Sequence, residues 1–236
     1  HARIRKETDM AETGVIIVAG GAGRRMGGAM PKQFMMLGNM PVLARTINLM
    51  REALPAAQIV VVLPEAHMEL WRNLAARFDV APHKTAAGGS ERFHSVRNGL
   101  AALDGEVRYI AVHDAVRPLL SKRLVIRLML EAERCDAVIP AVAPADSCRV
   151  TDGDGSRIID RQKLRLIQTP QVFRAEALRK AYEQPFSPLF TDDASVVEAS
   201  GYSVTLCDGE RENIKITTPT DLVFAEAIIA ATENDS

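Results

Sequence analysis

The run Val15-Ile16-Ile17-Val18 passes directly into Ala19-Gly20-Gly21-Ala22-Gly23-Arg24-Arg25-Met26, and Pro31-Lys32-Gln33 follows a few residues later. A short β-branched run of this kind reads as a strand buried on both faces. The glycines after it allow left-handed turns and let the backbone come close to a ligand. Consecutive N–H groups in such a loop form a concave anion site. Arg24, Arg25 and Lys32 add fixed positive charge within the same stretch. A buried strand ending in a basic glycine loop fits an α/β fold, with polyphosphate held at the strand's carboxyl end.

The rest of the chain repeats this logic. Strands are expected at 15–19, 59–63, 109–113, 137–142 and 203–207, and helices at 41–53, 65–78, 90–103, 121–134, 174–183, 192–199 and 220–231. Pro41 suits a first helical turn, and Ser90 and Ser121 suit N-caps. Strands alternating with helices predict a Rossmann-like α/β domain with a mainly parallel sheet covered on both faces. Its span is expected to be residues 11–234, with 1–10 a flexible N-terminal extension or an expression remnant. Between 144 and 168 the pattern breaks. There Asp152-Gly153-Asp154-Gly155 separates 147–151 from 156–160, which reads as a protruding β-hairpin arm. An isolated two-stranded hairpin is marginal in water, so the arm is expected to lean on its own body or on a second chain.

The 236 residues are 47% hydrophobic and 25% charged, with a formal net charge of −1. No overall basic field draws this chain to nucleic acid, so any anion site is a local cluster. No apolar run approaches the roughly 18 residues of a membrane span. Three scattered cysteines, Cys135, Cys148 and Cys207, read as reduced thiols of a cytoplasmic protein. Trp71 and the methionines fall at helical spacing and are expected in the core.

Strand ends in an open α/β sheet gather the ligand-binding loops. Besides the glycine loop these are Gly88-Gly89-Ser90-Glu91-Arg92, His113-Asp114-Ala115-Val116-Arg117 and the turn near Ala143. Backbone amides opening the helix at 90 suit a base or phosphate, with Ser95 one turn further along. Asp114 and Arg117 suit a metal-bound nucleotide and a phosphate. His113 is read as a packed, hydrogen-bonded side chain, with a general base as the alternative. Lys215, in Asn213-Ile214-Lys215-Ile216-Thr217, is positioned to cover a phosphate. Thr169-Pro170-Gln171 and Thr191-Asp192-Asp193 carry no independent meaning, although either aspartate suits a helix cap. Gly21 to Gly27 formally fits a dinucleotide fingerprint, but more than a dozen loop residues, Pro31 among them, separate it from the next helix. No motif for covalent catalysis appears, which fits phosphoryl or nucleotidyl transfer.

In this order and spacing the motifs resemble the 2-C-methyl-D-erythritol 4-phosphate cytidylyltransferase family, a group of nucleotidyltransferases of non-mevalonate isoprenoid synthesis. The resemblance spans about residues 13–229. It rests on Ala-Gly-Gly-Ala-Gly-Arg-Arg-Met, Pro-Lys-Gln, Gly-Gly-Ser-Glu-Arg-Phe-His-Ser-Val, His-Asp-Ala-Val-Arg-Pro, Asp-Arg followed by Thr-Pro-Gln, Thr-Asp-Asp-Ala-Ser and Asn-Ile-Lys-Ile-Thr. It implies CMP transfer from CTP to methylerythritol phosphate, with Mg²⁺ carried mainly by the CTP phosphates and no certain protein ligand. It assigns Arg25 and Lys32 to catalysis, and Ala19, Gly20, Gly21, Gly23, Gly89, Ser90, Ser95 and Asp114 to the nucleotide. It assigns Arg117, Ser147, Arg161, Thr169, Thr191 and Lys215 to the sugar phosphate. It further implies a homodimer in which the arm crosses to the partner and Arg161 serves the partner's site. Ser90 stands where members often carry an acid, and Val116 where they often carry Ala or Gly. Ribitol 5-phosphate cytidylyltransferases share most of these motifs, and ribitol 5-phosphate stays open as the acceptor. A nicotinamide-dependent oxidoreductase and a catalytically silent nucleotide-binding regulator are the readings from other classes.

Overall fold

A computed structural model describes residues 12–20 and 30–234. In chain order its elements are β1 (Thr13–Val18), β2 (Met36–Leu37), β3 (Met40–Pro41), α1 (Val42–Ala53), β4 (Gln58–Leu63), α2 (Met68–Arg77), β5 (Lys84–Ala87), α3 (Arg92–Ala102), β6 (Tyr109–Asp114), α4 (Lys122–Ala132) and β7 (Ala137–Val142). Then come β8 (Arg149–Asp152), β9 (Gly155–Ile158), β10 (Leu166–Ile167), β11 (Gln171–Arg174), α5 (Ala175–Ala181), α6 (Asp193–Ala199), β12 (Val204–Asp208) and α7 (Pro219–Asn234). The expected α/β class is borne out, and each helix expected from the sequence is present, with ends shifted by a few residues.

Eight strands form the main sheet in the order β10-β7-β11-β6-β1-β4-β5, with β12 also paired to β7. β1 lies parallel between β4 and β6, with Val15 opposite both Ile59 and Ala111. β12 runs parallel to β7, whereas β10 and β11 run antiparallel. The short strands β5, β10 and β11 were not expected. Each has at most four residues, too few for an alternation to register. From β1 the chain moves one way to β4 and the other way to β6, so the sheet's order reverses beside Gly20 and Asp114. That is where an open α/β sheet accepts ligand.

The two faces follow from the period of two. Val15 and Ile17 meet α1, α2 and α4 in a core with Leu43, Ile47, Trp71, Leu124 and Leu128. Ile16 faces the other layer, with Val60, Phe93, Val96, Ile110, Phe173 and Val197. Val15, Ile16 and Ile17 are wholly buried, each contributing about 1.5–3 kcal/mol by leaving water. α3 lies close enough that a Cβ on Gly99 would stand 2.7 Å from Ile16. Trp71 and Met50 are core residues as expected, but Met30 and Met36 are exposed. Both lie outside a regular helix, where helical spacing carries no information about burial.

Ser121 caps α4, accepting from the Leu124 amide at 3.0 Å. Ser90 does not cap α3. Glu91 is the cap residue and its side chain makes no capping bond, while Ser90 Oγ meets His94 Nδ1 at 3.1 Å. The hairpin is present, with Asp152 opposite Gly155 and Gly153 in the left-handed region. Among the described residues β8 and β9 pair with each other and with no other strand. Both strands are largely exposed.

Candidate active site

Lys32 enters the site through two anchors in its own turn. Phe34 is buried and stacks on Trp71 with ring centroids 6.0 Å apart. The Gln33 amide donates to Ala19 O at 3.0 Å, tying the turn to the end of β1. The Lys215 segment is fastened similarly. The Ile216 amide donates to Val116 O at 2.9 Å, and Asp221 accepts from the Thr217 and Thr218 amides at 2.8 Å. The Gly88 amide donates to Leu63 O at 2.7 Å, which directs the loop before α3 over the strand ends. The Gly89 amide donates to Ser95 Oγ at 3.1 Å, and Ser95 Oγ donates to Glu91 O at 3.2 Å.

These segments enclose a cleft of about 340 Å³, lined by Val18, Gly20, Lys32, Gly89, Ser90, Glu91, Arg92, Ser95, Asp114, Val116 and Lys215. One wall, Gly20 with Gly89, Ser90 and Ser95, is small and uncharged. The other is built around Asp114. Lys215 Nζ stands 3.0 Å and Arg117 Nε 3.2 Å from Asp114 Oδ2, and Arg92 Nη2 is 3.7 Å from Oδ1. Burial alone would raise the Asp114 pKa. Arg92, Lys215 and Arg117 outweigh it and hold the group well below the usual carboxylate range. Asp114 therefore spaces three cations that would otherwise repel, of which Arg92 and Lys215 line the cleft while Arg117 is buried beside Asp114.

Arg92 is the residue that sequence reasoning passed over. Its Nη1 donates to Asp193 Oδ1 at 2.6 Å, and the Tyr182 hydroxyl donates to the same oxygen at 2.6 Å. Burial lowers the Arg92 pKa, but Asp193 and Asp114 outweigh that and raise it. Thr191-Asp192-Asp193 thus has a structural meaning that its sequence concealed. Asp192 caps α6 through the Ser195 amide at 2.9 Å, and wholly buried Asp193 anchors Arg92. The available signal was an aspartate pair at a helix start, where one side chain suffices for capping. Asn213 was missed too: its carbonyl accepts from Arg117 Nη1 at 2.8 Å, and its amide donates to Thr169 O at 2.9 Å.

Of the residues expected at the site, the fold gathers Gly20, Lys32, Gly89, Ser90, Ser95, Asp114 and Lys215 around one cleft, with Arg117 bound to Asp114. Ala19 is buried behind it. Thr169 sits beneath Asp114, accepting its amide at 3.0 Å. Ser147, Arg161 and Thr191 are exposed and do not line the cleft. Arg161 Nη1 donates to Ala145 O at 2.6 Å. Arg25, Gly21 and Gly23 lie outside the described residues. His113 is wholly buried and hydrogen-bonded, as its packed reading expected, and burial pushes its pKa down to about 4.

A glycine-walled cleft beside clustered cations, at the reversal point of a mainly parallel sheet, marks the ligand-accepting end of an α/β protein with charge suited to phosphate. The family model for 2-C-methyl-D-erythritol 4-phosphate cytidylyltransferase (IspD) matches residues 13–231. A protein of that name from Bacteroides fragilis is 48% identical over 216 residues, covering 91% of this chain and 98% of the relative. One from Geobacillus kaustophilus is 41% identical, with 92% and 96% covered. Among solved structures, 4-diphosphocytidyl-2C-methyl-D-erythritol synthase from Anaerococcus prevotii superposes with a TM-score of 0.78 at 27% identity, covering 92% of this chain and 98% of that one. The Thermus thermophilus cytidylyltransferase gives 0.72 at 31%, covering 91% and 97%. The chain belongs to the 2-C-methyl-D-erythritol 4-phosphate cytidylyltransferase family, and it is a nucleotidyltransferase.

Proposed function

We propose that this protein transfers CMP from CTP to 2-C-methyl-D-erythritol 4-phosphate, releasing pyrophosphate and giving 4-diphosphocytidyl-2-C-methyl-D-erythritol. The observation that carries the reading is the two-walled cleft, in a chain so similar to relatives of that name. The uncharged wall of Gly20, Gly89, Ser90 and Ser95, with Ala19 behind it, suits the nucleoside, a role the family resemblance extends to Gly21 and Gly23. Asp114 stands at the junction of nucleotide and acceptor. Arg25 and Lys32 stabilise charge at the α-phosphorus, and Lys215 and Arg117 receive the sugar phosphate, with Thr169 bracing Asp114 from below; the family resemblance adds Thr191 and Ser147, which lie exposed outside the cleft.

The reaction is an in-line displacement. An acceptor phosphate oxygen forms a bond to the α-phosphorus, and the bond to the bridging oxygen breaks with pyrophosphate leaving. A phosphate monoester has its second pKa near 6, so the nucleophile is already a dianion at pH 7 and requires no base. The cleft agrees with this. Asp114 is committed to cations, and His113 is buried behind it with both ring nitrogens engaged. The obstacle is repulsion between two anions. Preorganised cations at the point of charge development can each lower such a barrier by roughly 3–4 kcal/mol.

Mg²⁺ suits this site as an ion carried by the substrate. Among the described residues no cluster of three or more His, Cys, Asp or Glu forms a metal cage. Of the two acids lining the cleft, Asp114 is already held by cations and Glu91 offers a single carboxylate, so phosphate oxygens and water are left to supply most of the ligands. The ion's chemistry there is to neutralise triphosphate charge. The exposed arm supports a homodimer in which β8 and β9 rest on a partner subunit and Arg161 reaches the partner's cleft. Three unpaired cysteines support a reducing, cytoplasmic setting.

Pyrophosphate release from CTP and Mg²⁺ is to be measured with methylerythritol phosphate and, separately, with ribitol 5-phosphate. Release with the first at far lower concentration supports the assignment. Equal or better use of ribitol 5-phosphate overturns it.

A further inference from the structure

His113 is wholly buried, it titrates in ordinary peptides, and the transfer reaction makes no direct use of it. Its surroundings fix its proton. Nε2 stands 3.1 Å from Arg117 O, and a carbonyl oxygen can only accept. Nε2 therefore carries the hydrogen. Nδ1, 2.9 Å from Thr169 Oγ1, is then a bare acceptor, and the Thr169 hydroxyl donates to it. The Asp114 amide donates to that same hydroxyl oxygen at 3.0 Å. The Arg117 amide closes the loop by donating to Asp114 O at 3.2 Å. The circuit runs from Asp114 through Thr169 and His113 to Arg117 and back, with each donor matched to an acceptor. A charged imidazole, or the opposite tautomer, would set an N–H against the Thr169 oxygen and reverse the hydroxyl. Of the charged groups that act on the ring, Asp114 favours the charged form, whereas Arg117 and Lys215 join burial, the largest influence, in favouring the neutral one.

We propose that His113, as the neutral Nε2–H tautomer, is a positioning residue: it turns the Thr169 hydroxyl inward and fixes the Asp114–Arg117 turn that holds Arg117 and Lys215 at their spacing on Asp114. It touches no substrate. Its action falls on the sugar-phosphate side, because Arg117 and Lys215 both bond Asp114 Oδ2, while the glycine and serine wall is built from β1 and the loop before α3. The inference rests on the proposed cytidylyl transfer for its kinetic consequence, and on geometry alone for its tautomer.

Two readouts keep those apart. In protein labelled with ¹⁵N at histidine, the His113 ring is expected to show a protonated Nε2 and a bare Nδ1 at pH 7, and to keep that pattern down to pH 5.5. A charged ring or an Nδ1–H tautomer at pH 7 overturns the proposal whatever reaction the protein catalyses. In kinetics, His113→Gln keeps a donor toward Arg117 but removes the acceptor for Thr169, and Thr169→Val removes the hydroxyl at near-constant shape. Each is expected to lower kcat/KM for methylerythritol phosphate about tenfold, the scale of one buried hydrogen bond, with CTP affinity by calorimetry within about twofold of wild type. The double variant is expected to be no worse than the worse single one, because both cut the same circuit. Thr169→Ser is expected to recover much of the Thr169→Val loss. Multiplying losses in the double variant, or folded His113→Gln with unchanged kcat/KM, overturns the proposal. If His113→Gln fails to fold, the nitrogen spectrum of wild type decides. A wild-type protein that releases no pyrophosphate refutes the proposed reaction and leaves the nitrogen spectrum to test the tautomer.

Discussion

Gly88 and Gly89 are neighbours in sequence, yet an added methyl group would have different consequences at each. A Cβ on Gly89 would stand 2.3 Å from His94 Cβ, and 3.1 and 3.2 Å from the His94 backbone C and Cα. Two of those atoms are backbone of α3's first turn, so no rotamer change relieves the clash. Reaching even the 3.0 Å that real Cβ contacts rarely breach requires a shift of about 0.7 Å. The loop or the helix start must move, and the Gly89–Ser95 bond moves with it. Overpacking of this kind costs about 1–3 kcal/mol, and a displacement near 1 Å at a binding wall can cost on the order of a hundredfold in rate. On Gly88 the nearest atoms, Leu63 O and Ser95 Oγ, lie at 3.4 Å, which is ordinary contact. Gly89→Ala is therefore expected to weaken CTP binding by about tenfold or more and to lower the unfolding midpoint, while Gly88→Ala changes stability by well under 1 kcal/mol. Calorimetric titration with CTP and urea unfolding of both variants measure this. Wild-type CTP affinity and stability in Gly89→Ala would refute the claim that this backbone forms a fitted wall of the cleft.

Lys32→Ala is expected to lower turnover by on the order of a hundredfold or more, with less effect on CTP affinity; near wild-type turnover in steady-state assays would remove Lys32 from the chemistry. Mixing Arg161→Ala subunits with Lys32→Ala subunits, each inactive alone, is expected to restore part of the activity through hybrid sites, and no rescue in mixed dimers shown to form would argue against a crossing arm. His113 contributes to acid sensitivity. Its folded pKa, about 4, lies below the ordinary 6.5, so the unfolded chain binds a proton more readily and stability falls as pH drops through 6.5 toward 4. Between pH 7 and pH 5 this amounts to about 2 kcal/mol, seen as a smaller pH-dependent loss in urea unfolding of His113→Gln than of wild type; equal losses would contradict it.

Much of this site is readable from the chain because its parts are local. Glycines after a β-branched strand, a lysine beside a proline, and a carboxylate three residues from a guanidinium each leave a mark within a few positions. What stayed hidden depends on separation. Arg92 reaches Asp193 across 101 residues, and neither shows in sequence that the other holds it. Thr169 lies 56 residues from His113, so no spacing rule predicts which way its hydroxyl points. Ser90 illustrates the reverse error: a serine before a helix is a good cap by composition, yet here its hydroxyl turns to His94 and the cap falls one residue later. The antiparallel strand β11 escaped notice for a related reason. Four residues between Pro170 and a helix carry no pattern, and β11 is a strand because β6 and β7 leave a place between them.

In the proposed reaction placed cations join two anions without a protein base. Its most direct test is the pH dependence of kcat/KM for the acceptor, measured with methylerythritol phosphate and again with its phosphonate analogue, whose second ionisation lies at higher pH. The predicted result is one rising limb near pH 6 with the phosphate, moving up with the phosphonate's own ionisation and followed by a plateau. A limb that stays in place when the acceptor's ionisation is changed would belong to the protein, and would contradict the claim.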